Sequence, residues 1–154
     1  MAAFLILACI GLPWLGAVCV WLAGDQRPRY QHALAAGFSV AAGIASLALL
    51  PYTSAQEAIR IAAGPFFGDL TFLPDGLGVF LAIIAAVIGS LAVIFSIDYM
   101  RGEAQLGRYY ALVLLFIGSM CGLVLTSSLL FLFVFWEMTA LCSYALISFY
   151  NDDP

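Results

Sequence analysis

The sequence predicts an all-α membrane protein with about five transmembrane helices. Hydrophobic residues make up 65% of the 154 residues and charged residues only 9%, whereas a soluble domain carries about 25% charged residues. Apolar runs of roughly 20 residues, the length that crosses a bilayer, occur five times along the chain. We therefore predict a single transmembrane region over 1–154, located as a multi-pass protein in the cell (inner) membrane.

The first predicted helix covers 3–23, and Pro13 inside it is expected to kink the helix or open one turn locally. A cleaved signal peptide is the alternative interpretation of this run. No basic residue precedes the run, and it is long for the apolar part of a signal peptide. After a polar link at 24–31, the second helix is predicted over 32–50.

Rows of small residues spaced four apart predict close contacts between helices, because they let two backbones approach in lipid. They are Ala33, Gly37, Ala41 and Ala45 on the second helix, Gly78, Ala82, Ala86 and Ser90 on the third, and Gly118 and Gly122 on the fourth. These rows require no catalytic explanation.

The segment at 51–75 is the one substantial loop of the prediction. Its prolines and glycines end regular helix, and its aromatic and branched residues favour an extended or hairpin-like segment. We expect this loop on the extracytoplasmic side. The third helix follows over 76–97, and Asp75 is well placed to cap its N-terminus.

The fourth and fifth helices are predicted over 109–126 and 129–149. A second polar link at 98–107 precedes them, flanked by tyrosines that are typical of the aromatic belt at a membrane interface. These tyrosines are Tyr99, Tyr109 and Tyr110.

The arginines predict the orientation. Two lie in 24–31, two in 98–108 and one in 51–75, and cytoplasmic loops carry the excess of basic residues. The links at 24–31 and 98–108 would then be cytoplasmic. The N-terminus is therefore expected to be extracytoplasmic and the C-terminus cytoplasmic.

Glu137 is the candidate functional residue because it lies near the middle of the last apolar run. A charged side chain at the centre of a helix in a bilayer costs roughly 2.5–3.5 kcal/mol on insertion scales. Such a group usually faces a bundle interior or a water path. The alternative interpretation is a protonated, structural Glu that hydrogen-bonds a neighbouring helix.

Several classes of function have no support. The four cysteines all fall in apolar runs, without a metal-ligand spacing, so helix packing is the simpler explanation. No flavin, haem or iron–sulfur motif is present, and we predict no cofactor and no metal. Without a basic patch, nucleic-acid binding is not indicated. The sequence does not assign an enzymatic activity to this chain.

Two segments carry recognisable motifs. The first is FLPDGLGVF at 72–80, and the second is DYMRGEAQLGRYYALVLLFIGSMCGLVLTSSLLFLFVFWEMTALCSYALISFY at 98–150. Both resemble the large antiporter-like membrane subunits. These subunits occur in Mrp-type Na⁺/H⁺ antiporters, where the large subunit designated A is the most similar, and in complex I and membrane hydrogenases. The resemblance is clearest over 73–150, and before Leu73 it concerns hydropathy and spacing only.

The resemblance implies that the chain is the N-terminal part of a longer or split subunit, with a partial antiporter-like bundle. It implies a subunit of a multisubunit monovalent cation/proton antiporter, working with other membrane subunits, protons and Na⁺ in the lipid bilayer. The alternative is a proton-pumping subunit, without redox chemistry of its own, of NADH:quinone oxidoreductase or a membrane-bound hydrogenase. A purely structural membrane scaffold is a third possibility.

Within that family the acid of the Trp-Glu motif belongs to a proton pathway, which maps onto Glu137. The same pathway uses lysines on later helices, and this chain contains no lysine. Helical periodicity places Tyr144 on the face of Glu137, with Ser148 further along it. These two are possible proton relays, and ordinary interhelical hydrogen bonding is the alternative for both.

Overall fold

The computed structural model describes residues 1–24, 27–53, 58–62, 69–103 and 105–150. Parts of the links and of the loop predicted at 51–75 therefore lie outside the described residues. Within the described part, the chain forms α1 (Ala2–Ala23), α2 (Pro28–Leu47), α3 (Gly76–Tyr99), α4 (Leu106–Leu125) and α5 (Leu129–Ile147). These five helices are long and apolar enough to cross a membrane, which confirms the predicted all-α membrane fold.

The helix ends differ from the predicted ones by a few residues. The predicted start of α2 at residue 32 is wrong because Pro28 takes the first turn of the helix, where its missing N–H and fixed φ are suitable. α4 begins at Leu106 rather than residue 109. α1 is helical on both sides of Pro13, so the proline does not divide this span.

α4 is the central helix of the bundle. It packs against α1, α3 and α5, while α2 packs against α1 and α3. Two apolar clusters stack along the bundle, one near each end. The first contains Ile6, Cys9, Leu49, Phe72, Val79, Cys121 and Leu125, among others. The second contains Val20, Ala35, Val93, Met100, Tyr110, Leu114 and Ile117, among others.

The predicted rows of small residues differ in how far they are buried. On α3, Gly78, Ala82, Ala86 and Ser90 are all buried, as predicted. On α2 the predicted row is only partly correct, because Ala45 is buried and Ala41 is half-buried, whereas Ala33 and Gly37 are exposed. The packing side of α2 also carries Ala35, Ser39, Ala42, Gly43 and Ser46. Both sides of this helix are rich in small residues, so spacing did not decide which one meets its neighbours.

Two short strands lie between α2 and α3. β1 (Ile59–Ala62) pairs antiparallel with β2 (Asp69–Phe72). The sheet is hydrogen-bonded to the turn between α4 and α5. The backbone N–H of Ser127 donates to the carbonyl oxygen of Thr71 at 2.9 Å. Leu73 donates similarly to Leu125 at 2.9 Å, and Phe72 is 1% exposed. β2 and Leu73 therefore pack against one end of the helix bundle.

Asp75 caps α3 as predicted. Its Oδ1 accepts a hydrogen bond from the Gly78 backbone N–H at 2.8 Å. We expect Asp75→Ala to lower the free energy of unfolding by about 1 kcal/mol, because the helix loses an N-cap. The measurement is thermal unfolding of the purified membrane protein. Asp75→Asn is the matched control, since Asn caps equally well; equal losses from both changes would contradict the capping role.

The predicted aromatic belt is only partly correct. Tyr99 is 68% exposed, as expected at an interface, whereas Tyr110 is fully buried. The Tyr110 hydroxyl lies 2.7 Å from Nδ1 of His32, and the Tyr109 hydroxyl lies 2.8 Å from Oγ of Ser96. The hydroxyl groups of two of the three tyrosines therefore form hydrogen bonds between helices, near the ends of the helical spans.

Candidate functional site

α5 carries the candidate acid and is the outermost helix of the bundle. It packs mainly against α4, and its buried residues are Phe135 and Cys142. The ring of Phe135 fills the space above Gly122, where an added Cβ would lie 2.5 Å from the ring. Phe135 also lies 6.1 Å from Trp14 between ring centroids. One side of α5 is thereby fixed against α4 and α1.

Glu137 lies on the opposite side of the same helix. It is two residues beyond Phe135, which is a rotation of roughly 200° around the helix axis. Its side chain is exposed, although it lies near the middle of an apolar span. Among the residues that the structure describes, none forms a hydrogen bond or ion pair with its carboxylate. The described helices of this chain therefore do not enclose Glu137.

The neighbours of Glu137 on the helix surface are also uncovered. Leu141 is 64% exposed and Tyr144 is 73% exposed, and Ala140 is exposed too. Trp136, which directly precedes Glu137, is 58% exposed. We call these five residues, with Glu137 at their centre, the outer face of α5.

The structure does not connect the predicted relay residues to Glu137. The Tyr144 side chain projects from the outer face of α5. Ser148 is half-buried, and its hydroxyl donates to the Ala145 carbonyl at 3.3 Å. No hydrogen bond joins either residue to Glu137 within the described part of the chain. The relay therefore stays a prediction.

The basic residues lie away from the middle of the membrane span. Arg29 lies in the first turn of α2, and Arg108 lies in the first turn of α4. Arg101 follows α3 and bonds to Asp98 at 3.1 Å, while Arg60 belongs to β1. No described arginine is therefore placed at the depth of Glu137, as the sequence predicts.

Three of the four cysteines have the packing role expected from the sequence. Cys9, Cys121 and Cys142 are buried, whereas Cys19 is exposed. The thiols of Cys9 and Cys121 approach backbone carbonyls of α2 and α3, at 4.0 Å from Ala42 and 3.9 Å from Ala82. These contacts place both sulfur atoms between helices.

The fold and the site together define a multi-pass membrane protein. Four of its helices pack around one another, and the fifth presents a carboxyl group on an uncovered apolar surface. Polar groups in such positions normally face other protein or water rather than lipid. This arrangement is typical of a protein that meets further membrane helices.

Comparisons with known proteins show which proteins this chain is similar to. Residues 61–110 match the family described as NADH-Ubiquinone oxidoreductase (complex I), chain 5 N-terminus. The chain is also 42% identical over 89 residues to "Na(+)/H(+) antiporter subunit A1" of Staphylococcus aureus strains bovine RF122 / ET3-1, JH9 and Newman. That region is 57% of this chain and 11% of each relative.

These matches confirm the predicted resemblance to the N-terminal part of the antiporter-like subunits, including the large A-type subunit of Mrp antiporters. The family match begins at residue 61, so it includes the end of β1 and all of β2. The motifs place the clearest resemblance over 73–150, and the family match extends it upstream of Leu73. Glu137 lies beyond the 61–110 segment. The chain spans 11% of the length of these curated relatives.

Proposed function

We propose that this chain is part of a membrane subunit of a multisubunit monovalent cation/proton antiporter. Within it, Glu137 would be a protonatable group of the proton path. The similarity to the Na⁺/H⁺ antiporter subunits of Staphylococcus aureus supports the class of transporter. The observation that carries the assignment of the residue is an exposed carboxyl group near the middle of a membrane-length helix.

The energetics of this position support a partner for Glu137 outside the described residues. An ionised carboxyl facing lipid is costly, and protein contacts or water reduce that cost. A low-dielectric environment favours the protonated carboxyl, and a nearby cation favours the carboxylate. Movement of a cation toward Glu137 and away from it would therefore release and load a proton.

The partner cation would come from other membrane helices. The outer face of α5 is the surface on which such helices would pack, because the inner side is already occupied by α4. They would belong either to further sequence of a longer or split subunit or to another protein of the complex. In the proposed orientation, the N-terminus is extracytoplasmic and α5 ends on the cytoplasmic side.

Ion exchange without redox substrates tests the proposed class. The assembled complex containing this chain would be placed in inverted vesicles that hold a pH gradient and a pH-sensitive dye. We expect a pulse of NaCl to dissipate the gradient, and an equal pulse of choline chloride to leave it. A gradient that responds to neither salt, while the complex is intact, would contradict antiport.

The second candidate is a proton-pumping subunit of NADH:quinone oxidoreductase. The match of residues 61–110 to the complex I chain 5 family favours it. The same vesicles separate the two functions, because a redox-driven pump acidifies them when NADH and quinone are added. NADH-dependent acidification without a sodium response would replace the antiporter assignment with this one.

A further inference from the structure

A polar cavity opens at the end of the bundle where both short links lie. Its volume is about 590 Å³. The basic residues lining it come from two separate parts of the chain, with Arg29 and His32 on α2 and Arg101 after α3. Apolar and backbone surface from Ile97, Gly102 and Leu106 completes the wall. Residues far apart in sequence thus form one cationic cavity.

The charges around this cavity do not cancel. Asp98 is paired with Arg101 at 3.1 Å, but 86% of the Asp98 side chain is exposed. Within the described residues, no carboxylate lies at ion-pair distance from Arg29. One of the two guanidinium groups of the cavity is therefore left without a counter-charge in the described part of the chain.

The His32 ring is held in place by its contacts with Tyr110. The bond between its Nδ1 and the Tyr110 hydroxyl is 2.7 Å long, and the two rings meet edge to face with centroids 5.4 Å apart. Tyr110 is fully buried, so the surrounding side chains restrict its movement. The bond leaves Nε2 as the ring nitrogen available to a ligand. A ring fixed before binding loses little entropy when the ligand arrives.

We propose that this cavity binds a phosphate-bearing anion. Guanidinium groups match phosphate oxygens with paired, charge-assisted hydrogen bonds. Basic pockets between membrane helices at the cytoplasmic side are suited to the headgroups of anionic lipids, and the arginine distribution predicts that side here. A phospholipid headgroup and a free phosphate offer the same chemistry. This inference does not depend on the antiporter assignment.

Native mass spectrometry of the complete membrane protein that contains this chain tests the proposal. The protein would be titrated with phosphatidylglycerol, with phosphatidylcholine and with inorganic phosphate. We expect phosphatidylglycerol to bind in preference to phosphatidylcholine. The double change Arg29→Gln and Arg101→Gln should weaken that binding by about tenfold or more, because two charged hydrogen-bond donors are lost.

Arg108→Gln is the matched control. Arg108 lies at the same end of the bundle, but it bonds to Gln105 at 3.3 Å and does not line the cavity. This variant should bind phosphatidylglycerol like the unmodified protein. Competition by inorganic phosphate would identify a soluble anion as ligand, and its absence would identify the lipid headgroup. The proposal is overturned if the double variant binds as tightly as the unmodified protein, or if Arg108→Gln weakens binding equally.

Discussion

Glu137→Gln is expected to abolish sodium-dependent proton exchange by the assembled complex. Glutamine keeps the size and polarity of the side chain but cannot gain or lose the proton. Positioned proton-transfer groups contribute about 100-fold or more to rates, so exchange should fall to the vesicle background. The measurement is the sodium-induced decay of a pH gradient in vesicles that contain equal amounts of complex.

Glu103→Gln is the control for this experiment. Glu103 is an exposed acid in the link between α3 and α4, outside the membrane-length helices. We expect this change to leave exchange intact, while Glu137→Asp retains part of the activity. If Glu137→Gln exchanges sodium as fast as the unmodified complex, the proton role of Glu137 is wrong. A structural role of this helix within a scaffold would then be the better explanation.

Gly118→Ala is expected to destabilise the bundle strongly for so small a change. An added Cβ would lie 2.5 Å from Cδ1 of Trp14 and 2.8 Å from the backbone oxygen of Ile10. The backbone oxygen cannot rotate away, so α1 and α4 would have to separate. Overpacking of this kind costs about 1–3 kcal/mol. The expected result is a lower unfolding temperature and less folded protein in the membrane.

Gly37→Ala is the same chemical change, but we expect it not to lower the stability of the bundle. An added Cβ there meets nothing within 4 Å, and alanine favours the helix over glycine by about 1 kcal/mol. Thermal unfolding of the purified protein should therefore show Gly37→Ala at or above the unmodified protein and Gly118→Ala clearly below it. Equal behaviour of the two variants would contradict the close contact of α1 with α4.

Much of the fold could be predicted because its determinants are local. A run of about 20 apolar residues spans the bilayer wherever it packs, so the helices appear close to their predicted positions. Asp75 is adjacent to the backbone N–H groups that it caps, and its role needs no tertiary information. The sequence prediction puts Pro28 in the polar link at 24–31, whereas the structure has it in the first turn of α2, a position that accepts proline.

Which face of each helix is buried could not be predicted in the same way. Ala33 and Gly37 have the spacing of a packing row, yet they are exposed, because the opposite side of α2 is equally small and meets α1 and α3. The position of Tyr110 in the sequence predicts an interfacial residue. It is buried because α4 is central to the bundle, and no local pattern shows which helix occupies the centre.

The sequence by itself determined that this chain has five membrane-length apolar spans, where they lie to within a few residues, and that Glu137 is the acid near the middle of one of them. Bilayer thickness and the cost of a charged group in lipid act on each segment separately, so these conclusions need no neighbours. Only the tertiary structure decided that Glu137 lies on an uncovered face, and that Arg29, His32 and Arg101 share a cavity. Both depend on how each helix is rotated against the others, which is fixed by contacts between residues distant in sequence.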